Sequence, residues 1–167
     1  NDAVSSFQPS IAVDSTGTLH VIWVSSPIVG NCGPGNPNPC SIFYSSRSLS
    51  GSWSTPQNIS PSGSSAIRQA IAIDPRDNTV HVVWESGSIA YHTMKPQGGA
   101  WTTPEAVTQP SSGGASPMIT VDPTGTLHVV FRGQCNGCSG SQAMYTMKPA
   151  GGAWSAPQQL SDEPVYF

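Results

Sequence analysis

Three histidines stand at one repeated spacing in this chain of 167 residues: His20, His81 and His128 follow Asp14, Asp74 and Asp122 by six or seven positions. An imidazole beside a carboxylate is the raw material of metal binding or of proton transfer near neutral pH. Catalytic groups seldom recur once per repeat, however. A turn aspartate accepting a bond from a strand histidine satisfies two buried polar groups, and that structural role is the expectation for all three pairs. Residues that break the repeat are better placed for chemistry. Arg68 stands where the other repeats have Gln8 and Ser116, Glu85 and Arg132 stand where the first repeat has Val24, and His92 occurs once. Arg68, Glu85, Arg132 and His92 are therefore the candidate ligand contacts. No catalytic set and no metal ligands are assigned, and no cofactor is expected.

The elements that must position these residues are announced by a phrase written three times: SIAVDSTGTLHVIW from Ser10, AIAIDPRDNTVHVVW from Ala70 and MITVDPTGTLHVVF from Met118. Each is followed by a tyrosine-bearing run and then by a tryptophan–proline run, at Trp53, Trp101 and Trp154. Repetition at this period indicates a solenoid, propeller or array. Each repeat resolves into four strands. The first ends at the Asp, the second is LHVIWV or its equivalent, the third carries Tyr44, Tyr91 or Tyr145, and the fourth runs from the Trp past Pro56, Pro104 or Pro157. Proline cannot donate to a ladder, which makes the fourth strand an edge. The inner strands are apolar on both faces and must be sandwiched. The fold class is all-β: three four-stranded antiparallel propeller blades, at approximately 8–60, 68–108 and 116–161, forming a single repeat domain.

Closed propellers use about 4–8 blades, so three form a partial propeller or one completed by oligomerisation. Two copies joined head to tail would supply six blades, and a non-closing contact would give an open filament. The partner expected first is therefore a second copy of the chain itself. Opening at Asn1 without Met, the sequence reads as a processed mature protein or an excised fragment.

Composition narrows the function classes. Charged residues make up 9% of the chain, Gly 17 and Pro 16 are turn-rich counts, and the net charge is −3. Six scattered Lys and Arg offer no basic stripe, which argues against nucleic acid as a partner. No apolar run is long enough for a membrane-spanning helix. The four cysteines form two local pairs, Cys32 with Cys40 and Cys135 with Cys138. Redox or zinc chemistry is one use of the C-x-x-C at Cys135; two disulfides within loops are the simpler reading, and they suit a secreted or cell-surface protein. Asn58-Ile59-Ser60 is a glycosylation sequon, a weak signal on its own.

The segments Ser46–Trp53, Met94–Trp101 and Met147–Trp154 are similar to the Asp-box pattern S-x-D-x-G-x-T-W. Gly98, Gly151 and all three Trp match, whereas Ser48, Pro96 and Pro149 replace the Asp. The chain thus resembles the sialidase-like, Asp-box (BNR-repeat) β-propellers, with degenerate boxes. The resemblance implies glycan binding on the face of the loops that join second to third strands and fourth to next first strands. In such sialidases three arginines grip the substrate carboxylate, with a Tyr–Glu nucleophile pair and an Asp acid/base. Here two arginines and one Glu are on offer. The expected function is a secreted or surface, non-catalytic β-propeller module that recognises glycans or surfaces and self-associates through open blade faces. The alternatives are a structural subunit of an extracellular oligomer or filament, and a sialidase-type glycoside hydrolase or its remnant.

Overall fold

Runs rich in Val, Ile, Phe, Trp and Tyr form the strands, and Gly, Pro, Asp and Asn mark the turns between them. The computed structural model describes residues 5–26, 32, 39–60, 65–134 and 140–161. They build three four-stranded antiparallel sheets. The first is β1 (Ser5–Val13), β2 (Leu19–Ser26), β3 (Ser41–Arg47) and β4 (Gln57–Asn58). The second is β5 (Ile67–Ile73), β6 (Val80–Ser86), β7 (Ile89–Lys95) and β8 (Glu105–Ala106). The third is β9 (Gly113–Val121), β10 (Leu127–Gly133), β11 (Gln142–Lys148) and β12 (Gln158–Gln159). Strand order in each follows the chain, the up-and-down pattern of a propeller blade. β5 packs beside both β1 and β9, so the first strands of the three blades stand side by side. Among the described residues no helix is long and apolar enough to cross a membrane.

Each fourth strand is an edge, but it starts after the proline and not at the tryptophan. It is reduced to two residues, paired as Tyr44↔Gln57, His92↔Glu105 and Tyr145↔Gln158. Ahead of it, the 3–4 hairpin is fastened by hydroxyls. Thr93 Oγ1 donates to the Thr102 carbonyl at 2.7 Å, and Ser45 with Ser54 and Thr146 with Ser155 repeat the bond at 2.8 Å. The turn between first and second strands needs positive φ, supplied by Gly17 (81°) and Gly125 (80°); the longer turn of the second blade uses Asn78 (59°). At the opposite end of blade 1 from its first turn, Cys32 is disulfide-bonded to Cys40 with Cα atoms 5.5 Å apart. The expected Cys135–Cys138 pair lies outside the described residues.

The core lies between blades. One cluster joins Ile22, Val24, Ile42 and Tyr44 of blade 1 to Val80, Val82 and Trp84 of blade 2, with Trp101 packed against it. A second joins Ala70, Val83 and Ala90 of blade 2 to Val129, Phe131 and Met144 of blade 3, with Trp154 against it. Blade 2 therefore has a forward face, met by blade 3, and a backward face, met by blade 1, and the other two sheets carry the same two faces by register. The repeated tryptophans fill these wedges: Trp101 stands edge-on to Tyr44 at 5.0 Å, and Trp154 edge-on to His92 at 5.6 Å.

Trp84, 1% exposed at the first junction, is the largest fully buried side chain among the described residues. Trp84→Ala should destabilise the fold by about 3–5 kcal/mol, read from urea unfolding midpoints followed by circular dichroism.

Candidate functional site

Every blade bulges at the same point of its first strand. The β1, β5 and β9 registers slip between Phe7 and Ser10, between Ile67 and Ala70, and opposite the step from Val130 to Arg132. Gln8, Arg68 and Ser116 occupy left-handed backbone there, at φ 52°, 53° and 50°. Such conformations cost roughly 1–3 kcal/mol in a residue with a side chain. A bulge re-aims the side chains around it, and Pro9 and Pro117 suit it because they have no N–H to pair.

The three bulges converge on one cleft of about 280 Å³, lined by Gln8, Ser10, Arg68, Gln69, Ser116 and Met118 together with the two prolines. Buried Glu85 holds it together. Its Oε2 accepts Arg68 Nη1 at 2.8 Å and the Ser116 backbone N–H at 3.0 Å, tying blade 2 to the bulge of blade 3. On the other side, Arg68 N donates to Gln8 Oε1 at 3.3 Å, and Gln69 Nε2 donates to the Gln8 carbonyl. The Arg68 side chain is 43% exposed against 10% for Glu85, so the carboxylate anchors the guanidinium from below and leaves part of its fork open to the cleft. Gln69 Oε1 is buried with no hydrogen-bond partner among the described residues.

Of the four residues singled out by broken repetition, Arg68 and Glu85 come together here. Arg132 does not line the cleft. It occupies the Glu85 position on β10, and that forward face of blade 3 has no neighbour among the described residues. His92 is elsewhere again, 3% exposed within the junction of blades 2 and 3.

That junction corrects two expectations. Pairing with β6 places His92, and not Tyr91, at the position of Tyr44 and Tyr145; Tyr91 instead matches Phe43 and Met144. The Asp–His pairs also hold in only two blades. His20 and His128 place Nε2 3.3 Å from Asp14 and Asp122, with Nδ1 2.8 and 2.7 Å from the tyrosine hydroxyls. Burial pushes the Asp14 carboxyl up, but bonds from Thr16, Thr18 and His20 outweigh it and hold the group down at about 2.

In blade 2 the chain of bonds runs the other way. Arg76 takes Asp74, with Nη2 2.7 Å from Oδ2 and Nε 3.1 Å from Oδ1. His81 Nδ1 lies 3.0 Å from His92 Nε2, and His92 Nδ1 lies 3.0 Å from Glu105 Oε1. A carboxylate only accepts, so His92 carries its proton on Nδ1 and His81 must donate from its own Nδ1. His81 Nε2 is left as a buried acceptor with no partner among the described residues. The His92 bond, assisted by Lys148, holds Glu105 down at about 2 against the effect of burial; Trp154 Nε1 also donates to it at 3.3 Å. Burial, together with the neighbouring His92, holds His81 down at about 4, and burial lowers His92 as well. Both imidazoles are neutral at pH 7, and His81 is a weak base. A second cleft, about 410 Å³, adjoins this chain and is lined by Arg76, His81, His92 and Lys148 among others. Among the described residues no cluster of three or more His, Cys, Asp or Glu could hold a metal ion.

Sequence reasoning missed Arg76 and Glu105, and missed Gln69 as part of the cleft. A signal existed for the first two: Arg76 stands at the place of Thr16 and Thr124, and Glu105 at that of Gln57 and Gln158. Aligning the repeats on the turn Asp exposes Arg76, and aligning them on the fourth-strand Pro exposes Glu105.

No protein-family model and no curated protein sequence matches the chain. Solved structures do match in fold. The Hadza microbial sialidase Hz136 superposes with a TM-score of 0.62 at 15% identity, over 89% of this chain and 36% of the sialidase. Zg3597, a family 117 glycoside hydrolase produced by the marine bacterium Zobellia galactanivorans, superposes with a TM-score of 0.59 at 12% identity, over 88% of this chain and 53% of the hydrolase. The chain spans about a third to a half of the length of these structures, and the likeness is one of fold.

A histidine whose folded pKa lies below its unfolded value contributes its full stability above about 6.5 and loses it as pH falls. Stability should therefore decline from pH 6.5 towards 4 as His81 and His92 are forced to charge. It should fall again below 4.5 as Glu105 protonates. Joint replacement His92→Tyr and Glu105→Gln, which copies blades 1 and 3, should flatten the upper part of that decline in pH-dependent urea unfolding. Nitrogen-15 spectra at pH 7 should show His81 protonated on Nδ1 and His20 on Nε2; the same tautomer in both would contradict the reversed chain.

Proposed function

We propose that the chain is a non-catalytic, carbohydrate-recognising β-propeller module of an extracellular protein, whose open blade faces are covered by further blades. The observation that carries this reading is the cleft at the three bulges. There a buried carboxylate holds a half-exposed arginine beside amide and hydroxyl side chains from three different blades. Planar donors of this kind suit sugar hydroxyls and sugar carboxylates. The Cys32–Cys40 disulfide agrees with an oxidising compartment. The fold is shared with a sialidase and a family 117 glycoside hydrolase, which makes sugar the first ligand class to try.

Glycoside hydrolysis ordinarily needs two carboxyl groups flanking the bond, one of them free to donate a proton. Glu85 is committed to Arg68 and to the Ser116 N–H, and the described residues lining the cleft include no second carboxyl group. Recognition suits this arrangement better than cleavage.

A panel of sialylated and neutral glycans should yield a binder, and Arg68→Ala should weaken it about tenfold or more, the loss expected for a charged hydrogen bond. Arg132→Ala should leave binding unchanged. Silence of folded protein across the panel would sink the reading. Release of fluorophore from a fluorogenic sialoside, abolished by Arg68→Ala, would replace it with a hydrolase.

A further inference from the structure

Two complete junctions inside the chain define what a third requires. At each, the ring at one third-strand position of the leading blade meets the edge of the following blade's tryptophan: Tyr44 with Trp101, then His92 with Trp154, both at 79°. Around the contact, the forward face of the leading blade supplies aliphatic side chains. The backward face of the following blade supplies a first-strand pair, a Val, an aromatic of the second strand and the Trp. In blade 2 these are Ile71, Ile73, Val82, Trp84 and Trp101.

Among the described residues, both halves of this junction stand without a counterpart. Tyr145 of blade 3 stands at the leading position, beside Met118 (60% exposed) and Val130 (42%). Blade 1 presents the backward set of Ile11 (62%), Val13 (59%), Val21, Trp23 and Trp53 (47%). Trp53 is already posed like Trp154: Arg47 lies over its ring at 5.3 Å, as Lys148 lies over Trp154 at 5.7 Å. Beside it opens an apolar groove of about 300 Å³ lined by Val21, Trp23, Trp53 and Pro56. Tyr44 packs against the blade 2 counterparts of that groove, Val82, Trp84 and Trp101.

We propose that blade 3 of one copy docks on blade 1 of a second copy, Tyr145 entering the Trp53 groove, and that two such junctions close a six-bladed dimer. Charge does not oppose the contact: Arg47 on the blade 1 face holds the register position of Lys95 and Lys148, cations that both internal junctions already accommodate, and Arg132 is the one Lys or Arg of the blade 3 face among the described residues. Each junction continues a packing mode already made twice, so contact area and shape are inherited from the repeat. The inference stands on blade packing alone: loss of glycan binding leaves it intact, and a monomer leaves the glycan reading intact.

Size-exclusion chromatography with light scattering on the 167-residue chain tests it. A mass of two chains is expected. Trp53→Ala, and separately Val130→Lys, should raise the dimer Kd about tenfold or more, as loss of a central interface anchor does. Both side chains are exposed in the single chain, so circular dichroism and the urea midpoint of the separated copies should stay unchanged. Mixing the two variants should restore a two-chain species, because one of its two junctions is then intact. A single-chain mass at all concentrations, a dimer indifferent to both substitutions, or a ladder of larger species would each overturn the proposal.

Discussion

Each sheet in this protein is apolar on both faces, and that constraint governs everything built on it. A blade cannot bury itself; each of its faces is buried only where another blade covers it. The side chains answer the geometry of the wedge. Small and branched residues such as Ala70, Ala90 and Val83 let the inner strands approach, while Trp84, Trp101 and Trp154 fill the widening gap outside. Because the faces are directional, forward and backward, the repeat has a polarity. The polarity is visible in the contrast between Trp84, 1% exposed within a junction, and Trp53, 47% exposed on a face that meets no blade among the described residues.

Polar residues obey the same repeat until blade 2, where several replacements act as a unit. His92 in place of a tyrosine reverses the direction in which protons are donated, Glu105 in place of a glutamine fixes that direction, and Arg76 in place of a threonine takes over the aspartate that His81 no longer serves. None is intelligible alone. A second departure lies at the bulges, where Arg68 and Glu85 replace residues without charge and clasp two blades across one cleft. In the first set His92 is buried within a junction while Arg76 and Glu105 stay as exposed as Arg68 does in the second, so exposure alone does not separate the two departures; what differs is the cleft each one lines.

Much of this was legible in the residues. Three copies of one phrase define blades, proline marks the edge strand, and the charges that break the pattern include the pair that meets at the cleft. What was not legible came from register. Matching the repeats on tyrosine placed Tyr91 beside Tyr44 and Tyr145, one residue out, because identity of side chain outweighed strand pairing; with period-two strands, a one-residue slip exchanges the faces. The bulges were hidden for a related reason. Left-handed φ at Gln8, Arg68 and Ser116 has no consistent residue type, and only the Pro9 and Pro117 that follow hint at it. The reversed histidine chain needed distances, since a tautomer is set by neighbours that spacing does not reveal.

If the repeat is scaffold, a ligand meets the exceptions at the three bulges. Amide chemical-shift mapping during titration with a bound glycan tests this most directly. Perturbations should be confined to residues 8–10, 67–69, 85 and 115–118, drawn from three blades at once. Perturbations centred instead on the 3–4 hairpins, at residues 48–53, 96–101 and 149–154, would contradict it, because they would make the repeated pattern itself the binding element.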